Sequence, residues 1–221
     1  MEVIRWVKDS YERIAERYGE TRRGGPIANQ LIPIINRYIQ GEPGIVVDIG
    51  PGNGDNLRIT WERFHQSTYI GCELSINMIR GSQVTIHWVN CSATHIPIRD
   101  GVADLVIAIA VLHHVPKSII KYVLEDINRI MKNNGIFIAT VWACNESTLR
   151  KLIPFNDCEG SIPWSYGVEE QVHRYYRLYR QGELESELGG AGFVPIESGA
   201  LRLGRYLNYY AVALKGQVNR Q

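Results

Sequence analysis

The sequence predicts an α/β fold in which a mainly parallel, doubly wound sheet is covered by helices on both faces. Three observations predict it. Apolar runs beginning at Ile45-Val46-Val47 and continuing at 68–72, 105–110 and 136–142 read as strands buried on both sides, since a strand with one wet face alternates apolar and polar residues. Helical spacing fills several gaps between these runs, and strands alternating with helices pair in parallel through right-handed crossovers. The length, 221 residues, suits one such domain spanning 1–221 and leaves no space for a second enzyme.

Along the chain, residues 3–18 place Val3, Trp6, Val7, Tyr11, Ile14, Ala15 and Tyr18 at three- and four-residue spacings, an amphipathic helix that breaks at Gly19. A second helix is predicted over 27–39, with Leu31, Ile34, Ile35 and Tyr38 on its buried side and Gly41-Glu42-Pro43-Gly44 stopping it. Between the later strands the clearest helix is 117–131, where Ile120, Val123, Leu124, Ile127 and Met131 form one stripe and Asn133-Asn134-Gly135 is the stop. Residues 144–172 mix Asn, Pro, Gly and Ser with apolar anchors such as Phe155 and Trp164, which predicts a lid or insertion reaching to about 180. A helix near 183–188 and strands near 193–197 and 206–214 close the chain.

Composition narrows the class. With 45% hydrophobic residues, 21% charged residues and a net charge of +1, the chain is neither disordered nor collagen-like, and any nucleic-acid partner must be met by a local patch rather than by global charge. The most apolar stretch, 103–115, holds Asp104 and a His pair and is too short to span a bilayer. Glu2, Arg5, Lys8 and Asp9 interrupt the opening residues, so no secretory signal and a cytoplasmic location are expected. Cys72, Cys91, Cys144 and Cys158 never approach a C-x-x-C spacing, and neither a zinc site nor a disulfide frame is expected.

The chemistry is concentrated where strands end. Val46-Val47-Asp48-Ile49-Gly50-Pro51-Gly52-Asn53-Gly54 joins the first strand to a helix through alternating glycines, either a plain turn or a loop that lets a ligand approach bare backbone. Asp55 stands where a dinucleotide loop needs glycine, and no Lys-Ser or Lys-Thr follows as in a Walker loop. A ligand carrying a sulfonium and an ammonium, S-adenosylmethionine, tolerates that acidic edge. Glu73 ends the next strand 19 residues past Gly54, where it would accept from ribose hydroxyls or merely cap a helix. In 104–114, Ala108 and Ala110 leave space for a methionine arm, while His113-His114 lacks companions at metal-ligand spacing and reads as loop structure.

Asp48-x-Gly-x-Gly-x-Gly, Glu73 and the 104–114 segment resemble the motifs of class I S-adenosylmethionine-dependent methyltransferases. Ile109-Ala110-Val111-Leu112-His113-His114, Val141-Trp142-Ala143, Ile162-Pro163-Trp164 and Arg174-Tyr175-Tyr176-x-Leu178-Tyr179-Arg180-x-Gly182-Glu183-Leu184 are similar to the tRNA wobble-uridine methyltransferases that esterify a 5-carboxymethyl group, as are Tyr11-Glu12-x-Ile14-Ala15 and Thr21-Arg22. The resemblance implies a Rossmann-like sheet with an antiparallel last strand. It implies a cofactor site of Asp48, Gly50, Gly52, Gly54, Glu73, Ser92, Ala93 and Ala110, in which Ser92 or backbone meets adenine because Cys91-Ser92-Ala93 replaces the family's Asp followed by a small residue. Such a reaction needs a cation to hold the substrate carboxylate, with Arg22, Arg174, Arg177 and Arg180 as candidates, and Tyr175, Tyr176 and Tyr179 are expected either to stack on a splayed base or to be core. The family also implies a small zinc-binding activator subunit on the sheet edge near 84–89, whose Val84-Thr85-Ile86-His87-Trp88-Val89 reads as a long apolar edge strand. Two other readings stand beside tRNA methylation: a methyltransferase for a free small carboxylic acid or phenol, and a non-catalytic cofactor-binding scaffold.

Overall fold

The computed structural model describes residues 2–21, 26–203 and 206–216. Two helices, α1 (Glu2–Tyr18) and α2 (Pro26–Tyr38), precede the sheet. Then β1 (Ile45–Ile49), α3 (Leu57–Arg63), β2 (Thr68–Glu73), α4 (Ile76–Arg80) and β3 (His87–Asn90) carry the chain from the centre of the sheet to one edge. It returns to the middle with β4 (Ala103–Ile109), α5 (Ile120–Ile130) and β5 (Met131–Trp142). After α6 (Glu146–Leu149), three strands β6 (Ile153–Pro154), β7 (Glu159–Trp164) and β8 (Val172–Arg177) form a separate sheet, and α7 (Glu183–Gly190), β9 (Phe193–Leu203) and β10 (Tyr206–Lys215) finish the fold.

The seven-stranded sheet has the order β3-β2-β1-β4-β5-β10-β9. Strands β1 to β5 pair in parallel, and β10 runs antiparallel to both β5 and β9. The order reverses between β1 and β4, the switch point at which open sheets of this kind leave a crevice beyond the carboxyl ends of their strands. Both faces are covered, as the unbroken apolar strands require. One face packs Val47, Val106, Phe137 and Ala139 against Val123, Leu124 and Ile127 of α5 and Leu184 and Leu188 of α7; the other packs Val46, Leu105 and Ile138 against Leu31, Ile34 and Ile35 of α2 and Leu57 of α3.

Three expectations need correction. The edge strand β3 covers only four residues, because Val84 turns back to accept a hydrogen bond from Trp88 Nε1 (3.3 Å) and leaves 84–86 outside the ladder. Helix α5 ends at Ile130 and β5 starts directly after it, so Asn133-Asn134-Gly135 lies within a strand rather than after a helix. The irregular-looking lid is an antiparallel sheet in the order β6-β7-β8, and a disulfide joins Cys144 to Cys158, against the expectation of none. That pairing had no signature in spacing because the two cysteines meet only when β6 and β7 fold back over the end of β5.

Helix α1 is tied down at both ends of its inner face. Trp6 Nε1 and Ser10 Oγ donate to the carbonyl of His173 in the lid sheet (2.8 and 2.9 Å), while the Glu12 carboxylate accepts from the backbone N–H groups of Ile76 and Asn77 at the start of α4 (2.9 Å each). That carboxylate supplies the acceptor that the first turn of a helix lacks. Among the described residues, no helix is long and apolar enough to cross a membrane.

Candidate cofactor and substrate site

The loop after β1 is built by backbone conformation. Gly50, Gly52 and Gly54 have φ of 66°, 62° and 90°, in the left-handed region that side chains resist. Gly50 is doubly constrained, since a Cβ there would lie 2.6 Å from Val111 Cγ2. The Gly52 N–H donates to Glu73 Oε2 (2.9 Å) and the Ser75 N–H to Oε1 (2.8 Å), which fastens the loop to the end of β2. Each carboxylate oxygen keeps a second lone pair, the geometry needed to accept two adjacent hydroxyls. Burial pushes the Glu73 carboxyl above its ordinary range, and the backbone donors partly offset this. Asp48, on β1, is fully buried with Oδ2 lacking a hydrogen-bond partner; burial, and then the Glu73 charge, push its carboxyl well above the usual range.

Glu73 opens onto a cavity of about 940 Å³ at the switch point. Gly50, Gly52, Ser92, Ala93 and Ala110 line it too, so six of the eight residues expected around the cofactor come together. Asp48 and Gly54 are not in that lining: the first is enclosed within β1, and Gly54 packs against Val84. Ser92 Oγ pairs with Thr94 Oγ1 (2.8 Å). Ala110 sits at φ 59°, held by its N–H donating to the carbonyl and hydroxyl oxygens of Thr140 (3.2 and 3.0 Å). A non-glycine residue there costs about 1–3 kcal/mol, strain that concentrates at functional sites.

Arg174 also lines the cavity. Its side chain is 5% exposed, its guanidinium lies over the rings of Trp164 (5.0 Å) and Tyr176 (5.2 Å), and Nε and Nη1 have no hydrogen-bond partner. Among the described residues no carboxylate forms an ion pair with it. A buried guanidinium is costly unless hydrogen bonds or an anion satisfy it. Beside it, His114 Nδ1 lies 2.8 Å from the carbonyl oxygen of Tyr175 and Nε2 lies 2.7 Å from the Tyr11 hydroxyl. A carbonyl only accepts, so Nδ1 donates, and in the neutral ring Nε2 accepts the Tyr11 proton.

The remaining predicted residues fall elsewhere. Arg22 lies outside the described residues. Strand alternation separates the β8 run: Arg174 and Tyr176 share one face, while Tyr175 and Arg177 share the other. Tyr175 donates to Glu159 (2.6 Å), Tyr176 is packed among His113, His114 and Trp142, and Arg177 is paired with Glu183 (3.1 Å) and Glu187 (2.7 Å) while its guanidinium covers Tyr179. None of the three lines the cavity: Tyr175, Tyr176 and Arg177 are buried, held by packing and ion pairing. Arg180 is exposed beside Asp157 (3.3 Å). Sequence reasoning missed Tyr11, His114, Lys151 and Asn208, all of which line the cavity. The His pair was a visible signal for one of them, whereas a single Asn in a strand carries none.

A family described as a methyltransferase domain matches residues 47–139, the segment that holds the glycine loop, Glu73 and Ala110. A tRNA (carboxymethyluridine(34)-5-O)-methyltransferase from Arabidopsis thaliana is 28% identical over 163 residues, covering 69% of this chain and 37% of its own length. The protein of the same name from Schizosaccharomyces pombe is 22% identical over 218 residues, covering 88% of this chain and 91% of its own. The chain thus spans little more than a third of the plant relative. Among solved structures, a chain from the complex between the Haloferax volcanii Trm112 methyltransferase activator and a methyltransferase superposes with a TM-score of 0.75 at 17% identity, covering 97% of this chain and 100% of that one.

Proposed function

We propose that the chain is an S-adenosylmethionine-dependent methyltransferase that transfers a methyl group to the carboxylate of a 5-carboxymethyl wobble uridine in tRNA, giving the methyl ester. The observation that carries this reading is Arg174, a buried cation that lines the cavity and has two N–H-bearing nitrogens without a hydrogen-bond partner. S-adenosylmethionine supplies an activated methyl group. Glu73, Gly52 and the Ser92–Ala93 loop fit its nucleoside, and the space beside Ala110 fits its amino-acid arm. A carboxylate with a pKa of about 4 is already ionised at neutral pH, so the protein needs no general base. What the residues supply is position: Arg174 grips the carboxylate, the Tyr11–His114 pair fixes the wall beside it, and the lid sheet excludes water.

The test is methyl transfer to tRNA bearing 5-carboxymethyluridine. Arg174→Met is expected to lower kcat/KM by about 10- to 100-fold or more while leaving S-adenosylhomocysteine affinity unchanged, and Arg174→Lys to recover only part of the loss. Mild alkali is expected to release the transferred methyl as methanol, as it does from an ester. Wild-type rates in Arg174→Met, or a methyl group that survives alkali, would overturn the reading. Equal activity on intact and RNase-treated tRNA would favour a small carboxylic acid instead.

The same reading includes a partner and a place. The outer edge of β3 is open to strand addition, and the fold's likeness to a chain from an activator complex supports a small activator subunit seated there; that this subunit binds zinc and that the protein works in the cytoplasm rest on the sequence reading alone. Co-purification of a small metal-binding protein that is lost on Trp88→Lys would support it; full activity of the isolated chain would not.

A further inference from the structure

Asn208 lies in β10 opposite Trp142 of β5 and is completely buried in the cavity wall. Its Nδ2 donates to the carbonyl of Tyr206 (3.3 Å), which turns the amide so that Oδ1 is the end left without a partner. Buried acceptors are nearly always satisfied, and one that is not carries an uncompensated desolvation cost. Asn208 lines the cavity, so a donor on a ligand that fills it can meet the acceptor that the protein itself leaves unmet. Two residues away on the same strand face, Tyr206 stacks on Trp142 (5.0 Å, 13°) and carries the Lys151 ammonium over its ring at 4.5 Å. Lys151 lines the cavity as well, and an ammonium only donates. The wall therefore offers one acceptor flanked by one cationic donor.

We infer that Asn208 and Lys151 read the imide edge of a uracil ring, Oδ1 accepting from N3–H and the ammonium donating to an adjacent ring carbonyl. The inference rests on the proposed reaction for the identity of the substrate and adds the residues that select its base. The complement is specific in sign. A cytosine ring in the same place turns its unprotonated N3 toward Oδ1, setting two acceptors against each other, and presents an amine on the side of N3 where uracil has its second carbonyl. Sites built to hydrogen-bond a group reject analogues that lack it far more strongly than apolar pockets reject a change in size. Arg174 holds the carboxylate at one end of the substrate and Asn208 the imide at the other, so the acceptor oxygen is positioned from two sides.

The experiment measures binding of the free nucleoside 5-carboxymethyluridine and of its N3-methyl derivative by calorimetry, with S-adenosylhomocysteine present. The wild-type protein is expected to bind the N3-methyl compound at least 10-fold more weakly. Asn208→Leu, checked for folding by its affinity for S-adenosylhomocysteine, is expected to abolish that difference, and Lys151→Met to weaken the parent nucleoside without abolishing it. Equal binding of the two nucleosides by the wild-type protein, no binding of either, or discrimination retained in a folded Asn208→Leu would overturn the inference. The wild-type comparison decides even where the variant fails to fold. The reaction fails separately: a protein that discriminates between the nucleosides yet transfers no methyl to the carboxylate refutes the chemistry and keeps the imide edge.

Discussion

Glu73 is held by the N–H groups of Gly52 and Ser75 before any ligand arrives, so its two remaining lone pairs are already aimed into the cavity. Glu73→Ala is expected to weaken S-adenosylhomocysteine binding by about 10- to 100-fold, the range for hydrogen bonds to a charged acceptor, and to leave the Gly52 donor unmet as well. Calorimetry measures it directly, and unchanged affinity would remove Glu73 from the cofactor site. Asp48 poses the opposite problem, a carboxyl pushed up by burial and by the neighbouring Glu73 charge. Its folded value is raised well above 3.8, so between the two values the native state keeps a proton that the unfolded chain has released, and stability falls as pH rises through that window. Asp48→Asn removes this contribution. Urea unfolding from pH 4 to neutrality is expected to show the variant gaining on the wild type as pH rises, with the residual slope in the same direction coming from Glu73, whose carboxyl is also raised. A gap that stays constant with pH would show that Asp48 does not titrate in this way.

At the scale of elements, the lid is the part whose order depends on a covalent link. The Cys144–Cys158 disulfide closes a segment, 14 residues in separation, that carries Arg150, Lys151, Leu152 and Ile153 to the cavity. Beneath it the small apolar cluster of Leu152, Cys158, Ile162, Tyr176 and Leu178 is separate from the two main cores. Constraining a loop of that size in the unfolded chain contributes about 2–4 kcal/mol. Cys158→Ser, or reduction, is therefore expected to lower the unfolding free energy by that amount and to speed trypsin cleavage after Arg150 and Lys151. Equal cleavage rates with and without reductant would show that the lid is held by its packing alone.

For the whole molecule, the cavity is where otherwise separate parts meet. Loops after β1, β2, β3 and β4, the inner face of α1, the lid and the start of β10 all contribute to its wall. A ligand that fills it binds only the folded chain, and at about 100 times its dissociation constant S-adenosylhomocysteine adds about 2.7 kcal/mol to stability. For a chain of this length that is expected to raise Tm by roughly 5–10 °C, measurable by scanning calorimetry. A clearly smaller rise in Glu73→Ala at the same ligand concentration would tie the effect to this site, and no rise in the wild type would deny the cavity its cofactor.

What the sequence determined by itself was the sheet and the glycine loop and carboxylate that close its first two strands. Unbroken apolar strands, the glycine loop and a carboxylate at the end of the second strand are local patterns, and local patterns survive without knowledge of the partners, so β1, β2, β4, β5, Gly50, Gly52 and Glu73 were legible. Which polar side chains reach the cavity beyond that loop was decided only by the tertiary structure. Arg174 and Arg177 are the same residue type three positions apart, and what separates a cavity cation from one neutralised by Glu183 and Glu187 is which face of β8 each occupies and what α7 brings against it. Tyr11 reaches His114 across 103 positions of chain, Cys144 meets Cys158 through a hairpin that reads as irregular, and Asn208 Oδ1 is left without a hydrogen-bond partner only in the packed chain. Long-range pairing and the absence of a partner are properties of the packed molecule, and no spacing in the chain encodes them.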